Sequence, residues 1–167
     1  YRKLPVRTIE CDPDLYLFLV RNPEVVVNMW QLMGITQVRC KRLGPYTFEG
    51  SDGAGTVSRV DLVYGSRNLH VFYADGHYEG PLLKRMTHGR AVMVLSSEYG
   101  VGADQQSRVT SRLDMFVQLE NVGADFVGKT LQPLVGKVAD SNFVETINFV
   151  AQVSTAAEKK GDGVHLL

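Results

Sequence analysis

The sequence predicts an α+β fold, an antiparallel β-sheet covered by one long C-terminal helix, with two short helices after the first strand. Three observations predict it. Two helix starts of the same chemistry, Asp12-Pro13 and Asn22-Pro23, follow a short opening strand. From Gln37 to Leu119 the chain reads as strands cut by tight-turn residues. From Ala124 to Lys160 an apolar stripe recurs at helical spacing.

The opening strand is Val6 to Cys11. Asp and Asn accept from the first free amides of a helix, and Pro fits its first turn, so helices are expected over Pro13 to Val20 and Pro23 to Met33, with Gly34 ending the second. The Val25-Val26-Val27 run has weak helix propensity, so packing must hold that helix. Seven strand-like segments follow: Val38 to Leu43, Tyr46 to Gly50, Thr56 to Tyr64, Leu69 to Ala74, Tyr78 to Met86, Arg90 to Glu98 and Val109 to Leu119. Gly44-Pro45 makes a turn, Ser51 to Gly55 a loop and Asp75-Gly76 a hairpin, while polar Gly100 to Ser107 reads as the most mobile loop. The last strand alternates most clearly, with Val109, Leu113, Met115, Val117 and Leu119 on one face.

That apolar face needs a cover, which the terminal helix supplies. Its stripe is Leu131, Leu134, Val135, Val138, Phe149, Val150 and Val153, with Asn142 and Thr146 in the middle. Pro133 kinks the helix or starts its main segment, which from there would span about 40 Å, enough to cross a broad sheet.

The totals narrow the function classes. At 167 residues the chain suits one domain, 1–167, with a real core. Lys plus Arg and Asp plus Glu are 18 each, so no global charge draws it to nucleic acid. Arg39, Lys41 and Arg42 form the one basic cluster and lack interleaved aromatics. Cys11 and Cys40 form no CxxC pair, which points to a reduced, cytoplasmic setting. No apolar run reaches the roughly 20 residues of a membrane span, so no integral membrane association is expected. No signal peptide is visible, and a start at Tyr1 without Met fits a trimmed N-terminus.

The order of elements resembles the helix-grip fold of the START-like (SRPBCC) superfamily. The segments carrying the resemblance are the Val6–Asp12 strand leading into the helix pair, and Leu131-Gln132-Pro133-Leu134 through Asn142-Phe143, similar to the terminal helix of polyketide cyclase/dehydrase-type and coenzyme Q-binding members. It departs in one point, with seven strand segments after the helix pair where the family has six. Either Val38–Gly50 is one bent strand or Tyr78–Met86 is partly loop. The resemblance implies a curved sheet wrapped around the long helix, with a cavity between them that holds lipids, quinones, hormones or polyketides. Some members are enzymes and many are carriers.

On that reading the inward residues are Val38, Cys40, Tyr46, Phe48, Val60, Leu62, Tyr64, Val71, Tyr73, Leu113 and Met115, with Val92 to Leu95 apolar on both faces. The candidate ligand-binding set is Trp30, Cys40, Phe48, Leu62, Tyr64, Tyr73, Tyr78, Met93, Leu113, Met115, Asn142 and Thr146. Such a lining suits an apolar ligand fixed by a few polar contacts, although solid packing of the same residues is the plain alternative. Buried without partners, Asn142 and Thr146 would cost about 1–3 kcal/mol each, so each meets a strand group, water or a ligand. Trp30 is a core anchor first and a ligand-stacking wall second.

No metal or cofactor is expected, because HxH, HExxH and CxxC spacings are missing; His70 and His77 flank the expected hairpin without making a site. Ser51 to Gly55 lacks the Lys-Ser/Thr of a phosphate loop. Arg59 with Asp61, and Arg112 with Asp114, read as solvated pairs on the wet face. No nucleophile elbow or Ser-His-Asp order is present. The leading expectation is a carrier for a hydrophobic small molecule. The alternatives are an acid–base enzyme of the cyclase/dehydrase kind and a protein-interaction module. The extra apolar edge Phe143, Val144, Ile147 and Ala151 points to a second contact surface or a homodimer.

Overall fold

All eight strands join one antiparallel sheet, which curves and carries the C-terminal helix, giving an α+β fold with three helices among the described residues. The computed structural model describes residues 1–81, 85–123 and 132–164, with 132–135 and 160–164 described as backbone only. In chain order the elements are β1 (Arg2–Lys3), β2 (Arg7–Glu10), α1 (Pro13–Arg21), α2 (Pro23–Leu32), β3 (Arg39–Arg42), β4 (Thr47–Ser51), β5 (Thr56–Gly65), β6 (Leu69–Tyr78), β7 (Thr87–Val101), β8 (Ser107–Leu119) and α3 (Gln132–Val164). The sheet order is β1-β8-β7-β6-β5-β4-β3, with β2 also on β8. β1 and β2 are two pieces of one edge strand, interrupted around Pro5, which has no N–H to give a ladder.

Capping sets the helix pair. The Asp12 carboxylate accepts from the amides of Asp14 at 3.1 Å and Leu15 at 2.7 Å. Asn22 departs from expectation and makes no side-chain cap. Its amide instead donates to the Phe18 carbonyl at 2.7 Å and its oxygen accepts from Arg42 at 2.7 Å, tying the α1–α2 corner to β3. Gly34, with φ of 70°, ends α2: its N–H donates to Gln31 and that of Ile35 to Trp30, both at 3.0 Å.

After the helix pair the sheet has six strands among the described residues, not seven. Asp75 and Gly76 make no hairpin. They lie within β6, paired with Arg90 and Gly89 on one side and with Arg59 and Ser58 on the other. Of the strand expected over Tyr78 to Met86, only Tyr78 belongs to a strand, and 82–84 lie outside the described residues. The glycine serves close approach rather than a turn, since a Cβ at Gly76 would run into the Val57 carbonyl and stand 2.8 Å from Ser58 Cα. The loop expected at Gly100 to Ser107 is a short turn, with Gly102 N donating to Gln106 O at 2.9 Å.

The described part of the terminal helix is Gln132–Val164, with Pro133 in its first turn, while 124–131 lie outside the described residues. Its inward face matches the expected stripe at Phe149, Val150 and Val153 but not at Val138 and Asn142. The buried residues are Phe143, Ile147, Phe149, Val150 and Ser154, whereas Val138 is 59% exposed and Asn142 is exposed. Thus the apolar edge taken for a second contact surface is the core-facing side. Two ties place the helix along the β1–β2 edge. Arg2 Nε donates to Asp140 at 2.9 Å, and Asp12 N donates to Ser154 Oγ at 2.9 Å. Its backbone neighbours are β2 and α1, so it roofs one side of the sheet.

Candidate functional site

Antiparallel pairing sets residues of neighbouring strands side by side, so the inner face can be described as rows across β8, β7, β6 and β5. At one end Val109, Ser111 and Ser97 are at most 1% exposed, and the Tyr16 hydroxyl bridges Ser97 Oγ at 3.0 Å and Ser111 Oγ at 2.8 Å. The next row is Leu113–Leu95–His70. This end is sealed by α1 and α3, with Leu4, Ile9, Tyr16, Leu19, Phe143, Ile147 and Val150 in one core.

Beyond it the face opens. The row Met115–Met93–Phe72–Leu62 is apolar across four strands and half-buried throughout. The row after that is Val117–Ala91–Ala74–Val60–Phe48, and the next Leu119–Gly89–Gly76–Ser58–Gly50–Cys40. Side chains shrink along this direction, from Phe and Met to Ala to Gly, and Val117 is 49% exposed. The shortening is confined to β6 and β7, which form a floor of small side chains flanked by Val60, Val117 and Leu119. Phe48 at its margin is 1% exposed, with the Arg42 guanidinium 4.8 Å from its ring centroid.

Of the expected site residues, Cys40, Phe48, Leu62, Met93, Leu113 and Met115 share this face, and Tyr78 lies on it beside Thr56 and Thr87. Trp30 packs edge-on against Phe149, with ring centroids 5.6 Å apart, where α2 meets α3. Tyr64 and Tyr73 do not belong to the site. A β-bulge between Leu62 and Tyr64 reverses the alternation of β5, leaving Tyr64 53% exposed on the outer face. Tyr73 shares that face and donates to Asp75 at 3.2 Å. Val71 lies there too, opposite Tyr64, and Tyr46 is 65% exposed. Asn142 and Thr146 also fall outside: the Thr146 hydroxyl bonds the Asn142 carbonyl at 2.6 Å within its own helix.

Residues missed from sequence are His70, Phe72, Ala74 and Ala91, while Val117, read on the right face, is absent from the candidate set. His70 is the one ionisable group among them. It is fully buried, and Arg21 Nε donates to its Nε2 at 3.3 Å, placing the ring's own proton on Nδ1, which has no partner. Burial, with the Arg21 guanidinium beside it, holds this imidazole below its ordinary pKa. His77 does not approach His70; its ring faces His88 across β6 and β7, with centroids 6.1 Å apart.

The outer face is wet and charged, as expected. Arg59 and Asp61 pair at 3.2 Å, but Arg112 pairs with Glu98 at 3.3 Å while Asp114 accepts from Tyr1 at 2.6 Å. Two shallow depressions lie there, one of about 360 Å³ beside Tyr1, Val94 and Phe116 and one of about 230 Å³ beside Asp75, His88, Gly89 and Arg90. Among the described residues no cluster of His, Cys, Asp or Glu is placed to hold a metal ion. No helix among them is long and apolar enough to cross a membrane.

Fold and site together define an α+β protein whose single curved sheet keeps part of its concave apolar face open. Among solved structures eleven chains are similar. One is the crystal structure of a conserved protein from Geobacillus kaustophilus, with a TM-score of 0.63 and 11% identity over 91% of this chain and 93% of that one. At that identity the likeness is one of fold. No family model and no curated protein matches the chain.

Proposed function

We propose that the chain binds and carries a hydrophobic small molecule on the concave face of its sheet, in the helix-grip manner that the order of its elements resembles. The observation that supports this is the gradient of inner side chains, from the Met115–Met93–Phe72–Leu62 row to Ala74 and Ala91 and then to Gly76 and Gly89. Apolar area there stays half-exposed, whereas the other end of the same face is sealed. Uncovered apolar surface of this kind gains about 25 cal/mol per Å² when a ligand covers it.

An apolar fluorescent probe tests the reading. The protein takes it up, and Ala91→Phe, which places a ring over the floor of small side chains, weakens uptake at least tenfold while thermal stability changes little. Absence of uptake, together with no bound species in native mass spectrometry of protein from its own host, would refute it.

The enzyme alternative has one observation in its favour, a neutral histidine on the inner face. His70 is fully buried, however, so a substrate would reach it only after the Leu95–Leu113 row moves. A substrate-dependent rate abolished by His70→Gln, with probe uptake intact, is what that reading requires.

A further inference from the structure

The corner between α2 and β3 holds large apolar side chains out in water. Leu32 is 89% exposed, Met33 60% and Ile35 60%. Single exposed apolar residues are ordinary, but three within four consecutive positions at a chain reversal form a contact surface. The local geometry sharpens the point. In a helix end closed as α2 is, the residue after the glycine commonly packs back on the residue three before the cap, here Ile35 on Trp30. The Trp30 ring is instead committed to Phe149, and Ile35 is left outside.

The corner protrudes and is held firmly. No atom lies within 4 Å of where a Cβ on Gly34 would stand. The two hydrogen bonds that close α2, and a third from Gln31 Nε2 to Val38 O at 2.9 Å, fix its backbone. Next along the chain come Arg39 and Lys41, alternate residues on one face of edge strand β3. Both are exposed, and neither forms an ion pair among the described residues.

We infer that this corner is a bilayer-docking tip, with Leu32, Met33 and Ile35 entering the border of the acyl chains while Arg39 and Lys41 meet anionic lipid headgroups. A convex apolar point beside two cations, of which Lys41 stands across the strand pair from Glu49, fits a lipid surface, whereas a protein partner of matching size would need a pocket to receive it. The tip sits at the small-residue end of the concave face: Gln37 lies against Gly53, and Cys40 is in the row of Gly50, Ser58, Gly76 and Gly89. Docking itself does not depend on the ligand reading.

Flotation with vesicles tests it, using phosphatidylcholine alone and phosphatidylcholine mixed with phosphatidylserine. The protein floats with the mixed vesicles and less with the neutral ones, and added salt releases it. Leu32→Ser with Ile35→Ser lowers vesicle affinity more than tenfold. Arg39→Gln with Lys41→Gln lowers it by about fivefold per residue on the anionic vesicles only. All four positions are exposed, so the thermal midpoint and probe uptake stay as in the unaltered protein, which separates this result from a failure of the carrier reading. An unaltered protein that stays unbound with both vesicle types overturns the inference, and so does undiminished flotation of the Leu32→Ser, Ile35→Ser variant. Self-association in solution that this variant abolishes, without vesicle binding, overturns it in favour of a contact between copies.

Discussion

Tyr16 closes the sealed end of the sheet, and Tyr16→Phe measures how much that closure stabilises. The ring is fully buried, and its hydroxyl is shared between Ser97 Oγ at 3.0 Å and Ser111 Oγ at 2.8 Å, both serines at most 1% exposed. Removing the oxygen deletes two hydrogen bonds of about 1 kcal/mol each and leaves two hydroxyls in a dry site. Ser97 and Ser111 are direct partners across β7 and β8, so they recover part of the loss by bonding each other. The net cost comes to about 2–3 kcal/mol, or roughly 5–10 °C in thermal midpoint for a chain of this size. Urea unfolding gives the free energy directly. Adding Ser97→Ala and Ser111→Ala to Tyr16→Phe should restore part of the stability, because no polar atom is then stranded. A loss under about 0.5 kcal/mol for Tyr16→Phe, or a triple variant much weaker than the single one, would refute the reasoning.

Acid should destabilise the fold through His70. Its folded pKa lies below the ordinary 6.5, so the unfolded chain takes up a proton first as pH falls. The stability tied to the neutral ring is complete above about pH 6.5 and declines as pH drops toward the lowered folded value. Thermal midpoints at about pH 7.5 and about pH 5.5 should therefore differ less in His70→Leu than in the parent, and equal differences would show that the ring is not held neutral. Gly76→Ala should cost about 1–3 kcal/mol, because the new methyl meets the Val57 carbonyl and Ser58 Cα, and neither yields unless β5 moves. Gly89→Ala meets the end of the Leu119 side chain at 2.8 Å and the Gln118 carbonyl less closely, at 3.3 Å, and should cost less, so equal losses in chemical denaturation would contradict the contact geometry.

How far the chain could be read before folding follows from the range of each signal. Both short helices were legible because capping is local. Asp12 does bond the first amides, and Gly34 does end α2. Asp75-Gly76 misled because the same dipeptide that makes a hairpin also permits close strand approach, and which use applies depends on strand partners 13 or more residues away in the chain. In the terminal helix the expected stripe is right at Phe149, Val150 and Val153 but lies about one-quarter turn off the inward face around Val138 and Asn142. Phe143 and Ile147 face the core, and Asn142, one position back, faces water.

The candidate site divides in the same way. Cys40, Phe48, Leu62, Leu113 and Met115 could be placed by alternation along single strands, whereas Met93 lies in a run apolar on both faces. Tyr64 was misplaced by a bulge that leaves no mark in composition, and Tyr73 by a strand apolar on both faces.

Thus the sequence alone determined the class of the fold, the helix starts, and most of the strands, since these depend on propensity, capping and period within a few neighbouring residues. Only the tertiary structure decided which face of β6 and α3 points inward, and that Met, Phe, Ala and Gly from β6 and β7 line up into a tapering floor. Those outcomes depend on register between distant segments, where a shift of one residue exchanges inside for outside.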